Sequence, residues 1–230
     1  MPIPGVSPQL DAFLRNVYFG NVNVANYDTF NIRTQTYFHR QNVPAGGYLS
    51  DDFFDGSSSD PFVTNWPSAN GLENDKFFWM THMGFWVEFG TDVDYAAVSN
   101  AAMLSRGATT PQFADVESIR KFLALGRVTG RIGQRIFVDG HSPAMFPSGC
   151  QPDITTTAAA TTATTSELGA AVIGLGQGGP ENAFKFKWPV PIIPQKPVRL
   201  TLQHKATFTP SKAFVIGAML FGVLIEPANY

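Results

Sequence analysis

Residues 76–90, KFFWMTHMGFWVEFG, decide how the chain is read. Phe, Trp and Met crowd this stretch around a single histidine, His82. Two opposed accounts fit: the wall of a ligand site with rings as a platform, or a strand buried on both sides. Spacing separates them, because successive side chains of a strand point to opposite faces. Odd positions carry Phe77, Trp79, Thr81, Met83, Phe85, Val87 and Phe89, and even ones Phe78, Met80, His82, Gly84, Trp86 and Glu88. Ring content and bounding turns favour a strand. The odd face then reads as a core stripe. The even face reads as a second apolar surface, covered by another layer or a neighbouring subunit, with His82 hydrogen-bonded at its border. Phe78, Met80, His82 and Trp86 are therefore candidate interface residues.

The neighbouring segments extend this pattern. In DTFNIRTQTYFHRQ, 28–41, Phe30, Ile32, Thr34, Thr36 and Phe38 alternate with Asn31, Arg33, Gln35, Tyr37 and His39, as in a strand with one wet face. VPAGG stops it, and SDDFFDGSSSDPF reads as loop. VRLTLQHKATF, 198–208, sets Val198, Leu200, Leu202 and His204 on one face. AFVIGAMLFGVLI, 213–225, is apolar on both sides and too short to span a bilayer as a helix. FKFKWPVPIIPQKPV is rich in proline, which confines it to an edge or a linker. GRIGQRIFVDG, 130–140, reads as a short strand into a turn.

Residues 94–107 and 109–126 read as helices. The second has Asp115 as its expected N-cap, Val116, Ile119, Phe122 and Leu123 as its stripe, and Gly126 as its stop. Residues 155–179 are Thr/Ala-rich and read as a flexible loop. Roughly six to eight strands with so many apolar faces need two packed sheets rather than one. The expected fold is mainly β, a jelly-roll-like sandwich with a short helical insertion near 94–126; an orthogonal barrel is second. Residues 21–230 form one domain in this reading. Residues 1–20 form an N-terminal arm whose anchors, Phe13 and Leu14, pack on the domain or on a neighbour. The start lacks the pattern of a signal peptide.

Only 15% of residues are charged, against about 25% in ordinary soluble domains. Contact with other copies would cover such a surface; so would a neutral surface built from Thr, Asn and Gln. The net charge of −2, without a basic run, gives strong nonspecific nucleic-acid binding no support. Folding could still gather Arg15, Arg33, Arg40, Arg106, Arg120, Lys121, Arg127, Arg131 and Arg135. The single cysteine, Cys150, excludes an intrachain disulfide.

His39, His82, His141 and His204 have no short metal-ligand spacing. Asp139, His141, Ser142, Ser148 and Cys150 lie close in sequence, but a triad is a matter of geometry, and no GxSxG elbow accompanies them. GLGQGG, 174–179, leads into a β-like segment and has no Walker lysine. Asp51, Asp52, Asp55 and Asp60 lack EF-hand spacing for Ca²⁺. No catalytic residue, cofactor or metal is expected. The rival binding function is a carbohydrate module stacking sugars on Trp66 and Trp79; a hydrolase ranks below it.

TFNIRTQTYFHRQNVPAGG, FKFKWPVPIIPQKPVRLTLQHKATF and AFVIGAMLFGVLI together resemble the β-rich coat proteins of tailless icosahedral bacterial or archaeal viruses. The resemblance lies in whole-chain texture rather than in a motif, and no functional residue carries over. It implies a capsid subunit that is not an enzyme and forms trimers or larger capsomers with copies of itself. It also implies other capsid or vertex proteins as partners, in some cases an internal viral membrane, no sequence-specific nucleic acid, and a virion assembled in the host cytoplasm.

Overall fold

A computed structural model describes residues 8, 30–89, 113–146, 152–156, 171–175, 183–211 and 213–227. Among the described residues there are ten strands: β1 (Phe30–Val43), β2 (Tyr48–Phe53), β3 (Phe77–Phe89), β4 (Arg127–Ile132), β5 (Arg135–His141), β6 (Pro152–Thr156), β7 (Ala171–Leu175), β8 (Phe184–Ile192), β9 (Val198–Phe208) and β10 (Phe214–Pro227). Helix α1 (Phe113–Leu125) lies between β3 and β4, and a 3-10 turn (Pro143–Met145) follows β5.

Eight strands form two four-stranded antiparallel sheets, ordered β1-β10-β3-β8 and β2-β9-β4-β5. Setting aside the separate β6–β7 pair, the first strand bonds to the last, the second to the seventh, the third to the sixth and the fourth to the fifth. That nesting is what rolling one long antiparallel hairpin produces, so the chain is a jelly roll. The expected sandwich with a helical insertion is found. Residues 94–107 lie outside the described residues.

The inner faces meet in one aromatic-rich core. Phe78, Met80, Met83, Phe85, Phe214, Ile216 and Leu220 from the first sheet face Phe53, Val128, Val198, Leu200 and Leu202 from the second. Helix α1 closes one end with Ile119, Phe122 and Leu123, where the Phe122 ring lies 5.1 Å from those of Tyr48 and Phe214. The helix already includes Phe113 and Ala114, so Asp115 lies within it rather than at the N-cap. Gly126 ends it as expected: its N–H donates to Phe122 O (3.0 Å), and a Cβ there would press on Leu202 and Pro143.

Strand β3 corrects the face assignment. Along the β3–β10 ladder, His82 pairs with Phe221 and Met80 with Gly222, so Thr81 is an extra residue. Such a bulge reverses the alternation beyond it. Phe78 and Met80 thus point inward before Thr81, and Met83, Phe85 and Val87 point inward after it. The core stripe changes parity in mid-strand. The Thr81 hydroxyl donates to Phe221 O across the bulge (3.2 Å). Gly222 permits the close approach, since a Cβ there would strike the Trp79 carbonyl and the Phe78 ring.

Other differences have equally local causes. SDDF belongs to β2, with Phe53 buried, because pairing with β9 overrides the loop-forming Ser and Asp. In β1, Tyr37, His39 and Val43 turn inward, so the more polar set of side chains supplies the core contacts. Residues 130–140 form a hairpin, in which Gly133 adopts φ +57°. The Thr/Ala-rich segment contributes β7 and the end of β6, paired with each other; 157–170 lie outside the described residues.

Both edges of the first sheet carry features that oppose another strand, β1 along Thr36–Arg40 and β8 through its prolines and bulge. Along β1, Arg40 N–H donates to Val63 O (2.8 Å), Asn65 Nδ2 donates to Thr36 O (2.8 Å), and Phe38 N–H donates to Asn65 Oδ1 (2.7 Å). On β8, Pro189 and Pro191 withhold donors, and four residues bulge opposite one of β3.

Candidate assembly surface

The outer face of the first sheet is set by its register. One row across the sheet is Thr36–Phe221–His82–Lys185, another Phe38–Met219–Gly84, and a third Arg40–Gly217–Trp86. The Trp86 indole lies directly over Gly217, where a Cβ would overlap the ring. Glycine therefore seats the indole flat on the sheet, half-buried, as aromatic rescue of a strand glycine does. Phe77, Trp79, Val215, Phe221 and Ile225 are also buried on this face, outside the inter-sheet cluster.

His82 is half-buried at the bulge, with Nδ1 2.8 Å from Thr81 Oγ1. The threonine hydroxyl has one hydrogen. Given to Phe221 O, it leaves the oxygen free to accept from His82 Nδ1–H. Burial, and secondarily the Lys185 ammonium, hold the imidazole below its ordinary pKa. It is a neutral hydrogen-bonded side chain at the edge of an apolar surface.

The predicted interface set therefore divides. His82 and Trp86 lie on the outer face. Phe78 and Met80 are in the core because Thr81 reverses the parity. Phe13 and Leu14 lie outside the described residues. Sequence reasoning missed Trp188, 64% exposed on β8. It stands in the proline-bearing bulge of β8, between the paired residues Lys185 and Val190.

The remaining candidates resolve into structural roles. Ser142 Oγ donates to Leu123 O (2.7 Å) and accepts from Ala144 N–H, joining helix α1 to the 3-10 turn. Asp139 and His141 are exposed; Ser148 and Cys150 lie outside the described residues. Asp55 accepts from Ser57, Asp60 from Phe62 N–H, and Asp52 from Thr201 (2.6 Å), so these carboxylates organise turns and a strand pair. No group of metal-ligating side chains occurs among the described residues. Trp66 is buried against Tyr37 and Phe54, and Trp79 is buried as well, so neither offers a platform to a sugar. Gly174 lies in β7; 176–179 lie outside the described residues.

The other histidines are built into the core. Phe54 N–H donates to His39 Nδ1 (2.7 Å), which fixes Nδ1 as the acceptor and holds Phe54 at φ +64°. Burial lowers the His39 pKa, with Asp55 opposing weakly. His204 Nε2 meets Phe122 O at 2.9 Å, and burial lowers its pKa too.

No protein-family model, curated protein or solved structure matches the chain.

Proposed function

We propose that the chain is a structural virion protein, a capsid subunit that self-assembles into oligomeric capsomers of an icosahedral shell. The observation that carries this reading is a jelly roll whose first sheet is apolar on both faces, with β1 covered along Thr36–Arg40 and β8 interrupted by prolines against strand addition. A block of this kind associates through faces and projecting side chains, not through added strands. Jelly rolls serve capsids, lectins and cupins alike. The lectin-like alternative loses the two tryptophans on which it rested. Trp86, seated on Gly217, and the exposed Trp188 are rigid aromatics of the type that anchors interfaces.

The mechanism is geometric. The aromatic core makes a stiff unit, repeated modest contacts add through multivalency, and low charge limits repulsion between copies. Light scattering and electron microscopy test this: trimers or larger closed assemblies are expected. A monomer at every concentration overturns it.

A further inference from the structure

The outer face of the second sheet carries a different chemistry. Its outward positions are Ser50 and Asp52 on β2, Arg199, Thr201, Gln203 and Lys205 on β9, and Arg127, Thr129 and Arg131 on β4. Arg131 and Arg199 are direct cross-strand partners. Like charges so placed destabilise a sheet. Two carboxylates belong to this surface. Asp52 lies 3.7 Å from Arg199 and is already engaged by Thr201, and Asp139 is exposed on β5. Arg135 and Lys196 add cations at the rim, where Gly133 N–H donates to Pro197 O (2.8 Å) and folds the two turns together. Arg127 is anchored by donating to Gly126 O (2.8 Å).

We infer that this face binds the phosphodiester backbone of nucleic acid, without reading its sequence. Arginine and lysine interspersed with Ser, Thr and Gln are the side chains that meet phosphate and sugar oxygens. Among the described residues, no aromatic occupies an outward position of β2, β9 or β4, so the face offers no stacking platform for bases. It also offers no cluster of large apolar groups for insertion into a bilayer, because the exposed Leu49 on β2 and Ile136 on β5 stand on opposite edge strands of the sheet. The chain's charge of −2 conceals the site because the sheet register gathers cations from distant segments. The inference adds a ligand to the shell reading and stands on this sheet alone.

The test is fluorescence anisotropy of the full chain with short labelled single- and double-stranded DNA and RNA, at about 50 to 200 mM salt. Neutralisation of phosphates by Arg127, Arg131, Arg199 and Lys205 predicts a slope of about −3 to −4 in log K against log salt on duplex DNA. Arg131→Gln with Arg199→Gln should cut that slope by about 2. Arg131→Lys with Arg199→Lys should preserve it, and so should the remote control Lys121→Gln. Hydrogen exchange should show protection on β4 and β9. An unchanged slope in the glutamine variant, protection elsewhere, or binding to phosphatidylserine vesicles but not to nucleic acid overturns the inference. Light scattering on the same samples separates the two readings. A monomer that binds DNA overturns the shell alone, and an assembly indifferent to DNA overturns this face alone.

Discussion

The two sheets share a core and differ on their outer faces. The first sheet turns Phe77, Trp79, Val215, Phe221 and Trp86 outward; the second turns out Arg127, Arg131, Arg199, Thr129 and Thr201. One outer face is apolar and largely buried, the other open and cationic. Both inner faces obey the same requirement, the removal of apolar surface from water. The outer face of the second sheet is free of it and stays polar, whereas Phe77, Trp79, Val215 and Phe221 on the outer face of the first are already buried. The contrast teaches that burial on both sides of a strand marks a sheet between two layers, while strict alternation marks one with a wet side.

Substitutions on the two sides of β3 probe this contrast most severely. Phe78→Ala should cost about 3–5 kcal/mol of folding stability, as for a large core aromatic. Chemical denaturation of a monomeric form measures it. A variant that folds normally but fails to associate would return Phe78 to the outer face and break the bulge assignment. Gly217→Ala should be next, because its methyl group must displace the Trp86 indole. About 1–3 kcal/mol is expected from overpacking. The double variant with Trp86→Ala should recover most of it, which thermal melts of the single and double variants would show.

The buried histidine of the first sheet adds a dependence on pH. His39 has its pKa lowered from 6.5 by burial, so the unfolded chain takes up a proton more readily than the folded one. The resulting stability is fully present above about pH 6.5 and is lost as pH falls toward the lowered folded value. His82 and His204 shift in the same direction and add to the slope. His39→Gln should retain an acceptor for Phe54 N–H and flatten the profile of melting temperature between about pH 7 and 5. A profile as steep as the parent's would place the titration elsewhere.

Trp86→Ala should weaken self-association, read by light scattering, while costing far less stability than Phe78→Ala because the indole is half-buried. Equal losses of stability would erase the difference between inner and outer faces. The smallest effect belongs to the second sheet. Arg131→Gln removes one of two like charges and should stabilise the fold by a few tenths of a kcal/mol, about 0.2–1 at most, at low salt. Destabilisation would show that Arg131 has a structural partner.

Much of the architecture is legible in the order of residues. Alternation in β9, unbroken from Val198 to His204, identifies the core-facing set directly. So do the two-sided apolar run of β10, a central strand, and the prolines of β8, an edge strand. The candidate surface is legible only in part. His82 and Trp86 emerge from the spacing, but Phe78 and Met80 are displaced by a bulge whose position depends on how β3 pairs with β10, some 140 residues away. Thr81 and Gly222 are its local signs, and neither is distinctive by itself.

By itself the sequence determined a β-rich sandwich with a helical insertion, because periodicity and turn residues act over a few neighbours. Only the tertiary structure decided which face of β1 and of each half of β3 is inside, where the sheet edges are covered, and that arginines from β4 and β9 lie side by side. Those features depend on register between distant strands, and a shift of one residue sends every side chain beyond it to the opposite face.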